Sequence, residues 1–176
     1  KPCLFSAGRG QMNSVQQSRY NKTVQFFTNR VQYMDDLNKD LTTFSRRARA
    51  NGIQPCYRPN GTSDYPWHNT GIMSLFNEIQ FYDYTKIVKR AYETLPENYH
   101  LTLSYSEHNL DYADSVVKAV LDTGVNMAVV FRNKDKPKKF LGLDVIDGDQ
   151  DDLRFLDPQG VVVGLYAKGK AKQDTS

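Results

Sequence analysis

The sequence predicts an α/β fold: an open, mainly parallel sheet or a partial (β/α) barrel, with helices, preceded by one long N-terminal helix. Three observations predict it. Apolar residues recur every three or four positions between residues 14 and 51, and at residue 53 this spacing gives way to short β-prone runs. Most runs are followed by segments long enough for a helix and too long for a hairpin, the pattern of parallel strands joined by right-handed crossovers. The runs also end in polar residues, which gives the predicted sheet one polar edge.

Taken in order, residues 1–13 read as a loop carrying Cys3 and Ala7-Gly8-Arg9-Gly10. The long helix, 14–51, places Tyr20, Val24, Phe27, Val31, Met34, Leu37, Leu41, Phe44 and Ala48 on one stripe. Asn51-Gly52 ends it by supplying residues that tolerate left-handed backbone angles. Residues 53–170 alternate between strands and helices. Strands are expected at 53–58, 79–86, 99–107 and 126–132, with later ones at 141–146, 153–156 and 161–165. Helical connections are expected near 71–77, 87–94 and 112–123. The whole chain, 1–176, reads as a single domain.

Composition narrows the class. With 39% apolar and 24% charged residues, the 176-residue chain suits a soluble globular protein with one core. Two cysteines do not make a secreted disulfide framework, and no window approaches the roughly 18 apolar residues a membrane helix requires. A cytoplasmic protein with no membrane partner is the expectation. The chain opens without methionine on Lys1-Pro2-Cys3 and closes as abruptly on Asp174-Thr175-Ser176, which suggests a piece of a longer protein. A net charge of +3 does not by itself imply nucleic acid. Basic clusters at Arg46/Arg47/Arg49, Lys134 to Lys139 and Lys168 to Lys172 read either as solvated faces or as a nucleic-acid footprint.

A parallel sheet takes its ligands beyond the carboxyl ends of its strands, in open sheets and barrels alike. The polar residues at those ends are Asn60, Thr62, Asp64, Asp83, Lys86, Ser104, Glu107, Arg132 and Asp157. Together they form the predicted site for a small-molecule or nucleotide-like ligand, although Asp64 before Tyr65-Pro66 also suits a turn or helix cap.

Other motifs carry less. His100-Leu-Thr-Leu103 matches the short pattern that two-histidine phosphoesterases use twice, one imidazole as general acid and one as base. The only second candidate is His68-Asn-Thr70, and His100 would stand at the start of its strand, away from the polar ends. Asp147-Gly-Asp-Gln-Asp-Asp152 has the composition of a calcium loop without its spacing or closing glutamate. Cys56, inside a strand, reads as a small apolar residue. Cys3 is a metal ligand only if further ligands exist.

Five separated blocks, Cys3-Leu-Phe-Ser-Ala-Gly-Arg-Gly10, Asn60-Gly-Thr-Ser-Asp64, Gln80-Phe-Tyr-Asp-Tyr-Thr-Lys86, Leu153-Arg-Phe-Leu-Asp-Pro158 and Gly169-Lys-Ala-Lys172 followed by Asp-Thr-Ser176, occur in this order along nearly the whole chain. In these the chain resembles a family of bacteriophage and plasmid "gene products" of unassigned function. Members of that family resemble iron–sulfur proteins at their N-termini, and the order of cysteine loop, long helix and strands is similar to the partial barrel of radical S-adenosylmethionine enzymes. The resemblance implies Cys3 as a cluster ligand, Asn60 to Asp64 facing the amino-acid portion of S-adenosylmethionine, and Ser104 with Glu107 near its ribose. The chain departs from that pattern in having one cysteine where three are needed and no glycine-glycine-glutamate strand end before Asp64. A nucleic-acid- or protein-binding module without catalysis and a phosphodiesterase using His100 stay open beside it.

Overall fold

A computed structural model describes residues 8–173 of the chain. Seven strands form one open sheet in the order β1-β2-β3-β4-β7-β6-β5. They are β1 (Cys56–Tyr57), β2 (Gln80–Thr85), β3 (Tyr99–Ser104), β4 (Asn126–Phe131), β5 (Lys139–Phe140), β6 (Leu143–Asp147) and β7 (Val162–Tyr166). All pairs are parallel except β5 with β6, a short hairpin that turns through Leu141 and Gly142 with φ of 50° and 83°. The sheet is therefore open, and the barrel alternative gives way to it.

The expected single N-terminal helix is two. Helix α1 (Asn13–Thr28) and helix α2 (Arg30–Ala50) are separated by Asn29, whose φ of −143° and ψ of 69° leave the helical region. Its side chain accepts the Gln32 N–H at 3.3 Å and so caps α2. The break divides the apolar stripe. Met34, Leu37 and Leu41 pack on the sheet, joined by Phe26 and Tyr33, whereas Phe27 and Val31 are 78% and 74% exposed. Phe26 is taken inward by edge contacts with Tyr65 and Trp67 at 5.0 and 5.8 Å, which turns its neighbour Phe27 outward.

Helix α3 (Ile72–Leu75) is one turn, the expected helix near 87–94 is a 3-10 turn at Val88–Tyr92, and helix α4 (Leu110–Thr123) fills the third connection. Residues 153–156, expected as a strand, instead make a 3-10 turn at Arg154–Leu156. Two polar side chains of that segment bond forward and back along the chain and leave no ladder to join: Asp151 Oδ1 accepts the Leu153 N–H, and Arg154 Nη2 donates to the Asp151 carbonyl.

All the α-helix packing lies on one face of the sheet. Phe81, Tyr99 and Leu101 meet α2 and α3 there, and Leu103, Met127, Val129 and Val162 meet α4. Strand alternation then sends Gln80, Tyr82 and Tyr84 of β2 and His100, Thr102 and Ser104 of β3 to the opposite face. Among the described residues no α-helix covers that face. It is crossed by the connection from β6 back to β7, residues 148–161, which lies against Val163 and Leu165 at Gly148 and against Tyr82 at Phe155. Among the described residues no helix is long and apolar enough to cross a membrane.

Candidate functional site

The carboxyl ends of β1 and β2 gather four of the residues expected at a site. Asn60 follows β1 and is buried, and its backbone N–H and side-chain amide donate to Asp83 Oδ1 and Oδ2 at 3.0 and 2.9 Å. The same amide donates to the Tyr65 carbonyl, while its oxygen accepts the Ser63 hydroxyl and the Tyr65 N–H. Every polar atom of Asn60 is used, so this residue sets the shape of the 60–65 loop. Tyr99 Oη also donates to Asp83 Oδ2, at 3.3 Å. Burial nevertheless dominates and raises the Asp83 carboxyl to about 6, against the pull of the Asn60 bonds and the Arg58 charge.

Asp64 closes the loop onto the next strand. It accepts the Thr85 hydroxyl at 2.7 Å, the Lys86 N–H at 2.8 Å and Arg90 Nη1 at 2.5 Å. Lys86 thus contributes its backbone, and its side chain is exposed. Arg90, which sequence reasoning passed over, is only 2% exposed and its Nη2 has no hydrogen-bond partner among the described residues. The other expected residues do not join this network. Thr62, Glu107 and Arg132 are exposed, and Ser104 accepts the Tyr112 hydroxyl through its backbone carbonyl at 2.6 Å. Cys3 lies outside the described residues.

Asp157 belongs to a second cluster, on the helix-free face. Arg154, 1% exposed, donates through Nη2 to the Asp151 carbonyl at 2.6 Å, and its Nη1 lies 3.4 Å from Asp157 Oδ2. Among the described residues its Nε and Nη1 lack hydrogen-bond partners, as do the buried Nε2 of His100, Oγ1 of Thr102 and Oδ2 of Asp157. Burial lowers the His100 pKa, with a further push from the Arg154 charge. Nearer the strand ends, Asp152 accepts Tyr84 Oη at 2.8 Å and Tyr82 Oη at 3.4 Å, and pairs with Arg58 at 3.4 Å. The Arg58 guanidinium also sits 4.5 Å over the Tyr84 ring. Arg58, Tyr82, Tyr84 and Arg154 were all missed at the sequence level. The alternate polar positions 80/82/84 and 100/102/104 were the available signal, because the covered face of a parallel sheet is ordinarily apolar.

Two motifs resolve into structural roles. His68 bonds Glu93 at 2.8 Å and stacks on Tyr99, 5.9 Å between ring centres, which puts it on the helix face. His100 points to the other face, so the two imidazoles do not converge on one phosphodiester. In the acidic loop, Lys136 pairs with Asp147 and Asp149 at 2.6 and 2.9 Å, and Lys168 with Asp149 at 2.9 Å. Burial works upward on Asp149, but the Lys136 and Lys168 bonds carry its carboxyl down to about 2. Asp147 and Asp149 are thus engaged by lysines, and the 134–139 and 168–172 clusters spend part of their charge there.

These features define an open-sheet α/β protein with a polar strand-end loop and a polar, helix-free second face. The chain belongs to the family described as Gene product 88, whose model matches residues 1–176, and that family has no assigned function. No curated protein and no solved structure matches it.

Proposed function

We propose that this protein binds a small, nucleotide-like ligand at the carboxyl ends of β1 to β3, on the helix-free face. One observation carries the reading: β2 and β3 direct to that face Gln80, Tyr82, Tyr84, His100, Thr102 and Ser104, polar positions in the middle of a parallel sheet. Folding alone favours apolar residues there. Convergent polar groups in such a place are the usual mark of a ligand site. The Asn60–Asp64–Asp83 network supports the same reading by fixing the loop at the edge of the site rather than by contacting ligand.

The most specific form of this reading, an iron–sulfur cluster with S-adenosylmethionine, is supported by the sequence resemblance alone. Among the described residues no three His, Cys, Asp or Glu side chains are grouped to hold a metal ion, and the free Cys56 sits half-buried on β1. The described residues therefore do not make a cluster site by themselves. Iron and labile sulfide assays on anaerobically prepared protein address that form.

Thermal-shift and calorimetric titration with ATP, GTP, S-adenosylmethionine and S-adenosylhomocysteine tests the broader reading. Saturable binding that weakens on Thr102→Val and on Ser104→Ala supports it. Binding of none of the four, or binding indifferent to both substitutions, counts against it. A nucleic-acid module instead predicts binding to DNA or RNA that weakens steeply with salt.

A further inference from the structure

Three donors on the helix-free face converge on one carboxylate. Tyr84 Oη reaches Asp152 Oδ1 at 2.8 Å, while Tyr82 Oη and Arg58 Nη1 both reach Oδ2 at 3.4 Å. The donors come from β2 and the residue after β1, so the sheet holds them in place. The acceptor comes from the 148–161 crossover and is 55% exposed. A guanidinium and two phenol hydroxyls are the donor set that carboxylate and phosphate oxygens require. Arg154 adds a second positive charge that acts on Tyr84.

A second observation concerns the layer between crossover and sheet. Among the described residues, Arg154 Nε, His100 Nε2 and Thr102 Oγ1 are buried there without hydrogen-bond partners, and Arg154 Nη1 has only the 3.4 Å ion pair with Asp157. A buried donor left unmet costs about 1–3 kcal/mol, so a segment packed only to stay shut would have met them. The crossover buries its own Arg154 over His100 and Thr102, with Nη1 paired only to Asp157, and none of its side chains hydrogen-bonds the buried polar atoms of those two sheet residues.

We propose that Arg58, Tyr82 and Tyr84 form a subsite for an oxyanion group of the ligand, and that Asp152 stands in for that group and latches the crossover over the site until ligand displaces it. This rests on the ligand lying on the helix-free face. The latch contacts at 3.4 Å are long for charge-assisted hydrogen bonds, so an anion with free choice of position competes well for the same donors.

The test is titration of wild-type, Asp152→Ala and Asp152→Asn chains with inorganic phosphate and, separately, with acetate, read by calorimetry and by the ring-proton shifts of Tyr82 and Tyr84. A tethered carboxylate competes at an effective concentration of about millimolar, so its removal should tighten binding of the preferred anion about tenfold. The preferred probe separates a phosphate-bearing from a carboxylate-bearing ligand. Adding Arg58→Met to Asp152→Ala should abolish the gain, and saturating anion should speed amide exchange at residues 149–156 of the wild type. Unchanged affinity in both Asp152 variants overturns the proposal, as does a gain that survives Arg58→Met. If the anion pattern holds while no nucleotide binds, the subsite stands and the nucleotide-like reading falls. A nucleotide that binds regardless of Asp152 and Arg58 does the reverse.

Discussion

Asp83→Asn probes the electrostatics of the strand-end network. The Asp83 side chain is fully buried, and burial raises its carboxyl from 3.8 to about 6. Between those values the folded chain holds a proton that the unfolded chain has released, so stability falls as pH rises through the interval. The contribution is fully present below 3.8 and is lost above about 6. At about 1.4 kcal/mol per pH unit, this span amounts to on the order of 3 kcal/mol. Asparagine does not titrate. Its amide would face the Asn60 amide that now donates to Asp83, and this adds an offset to stability that does not vary with pH. Urea unfolding of both chains from about pH 4 to about pH 7 should therefore show the difference between them moving in the variant's favour as pH rises, by on the order of 3 kcal/mol in total. A difference that stays flat, or one that moves towards the wild type with rising pH, would refute the reasoning.

Asp64→Ala should cost about 2–3 kcal/mol in urea unfolding, because it strands the buried Arg90 guanidinium and leaves the Thr85 hydroxyl and Lys86 N–H without their acceptor. Replacing Arg90 by Met in that background should recover part of the loss, whereas no recovery would show that the stranded charge is not the cause. Gly148→Ala should destabilise by about 1–3 kcal/mol, since a Cβ there would press on Val163, on Leu165 and, at 2.8 Å, on Arg154 Nη1. A melting temperature equal to wild type would mean that the crossover does not pack on the sheet at that point.

Part of the strand-end network was legible because polar residues near strand ends are a local property. Asn60 and Asp64 could be named from the run they follow, whereas Asp83 lies inside β2 rather than at its end, and hydrogen bonds across 23 positions of sequence bring Asn60 to it. Arg90 and Arg154 could not be found this way. An arginine in a sequence reads as exposed, and only packing reveals that these two are among the largest fully buried side chains in the protein. Tyr82 and Tyr84 were equally hidden, since an aromatic in a strand reads as core until the face it occupies is known.

By itself, the sequence determined the class of fold, the succession of helices followed by strands, and the polar character of the strand ends. Hydrophobic spacing of two or of three to four residues, together with the length of each connection, is written locally in the chain and needs no partner to be read. The tertiary structure decided the rest. It broke the long helix at Asn29, whose side chain caps the second helix, and it buried Phe26 against Tyr65 and Trp67 while leaving Phe27 outward. It also placed β7 between β4 and β6 and carried the 148–161 crossover onto the face without helices. Strand order and the choice of face depend on pairings between residues far apart in sequence, and a periodic pattern along one segment does not specify which distant segment will complete it.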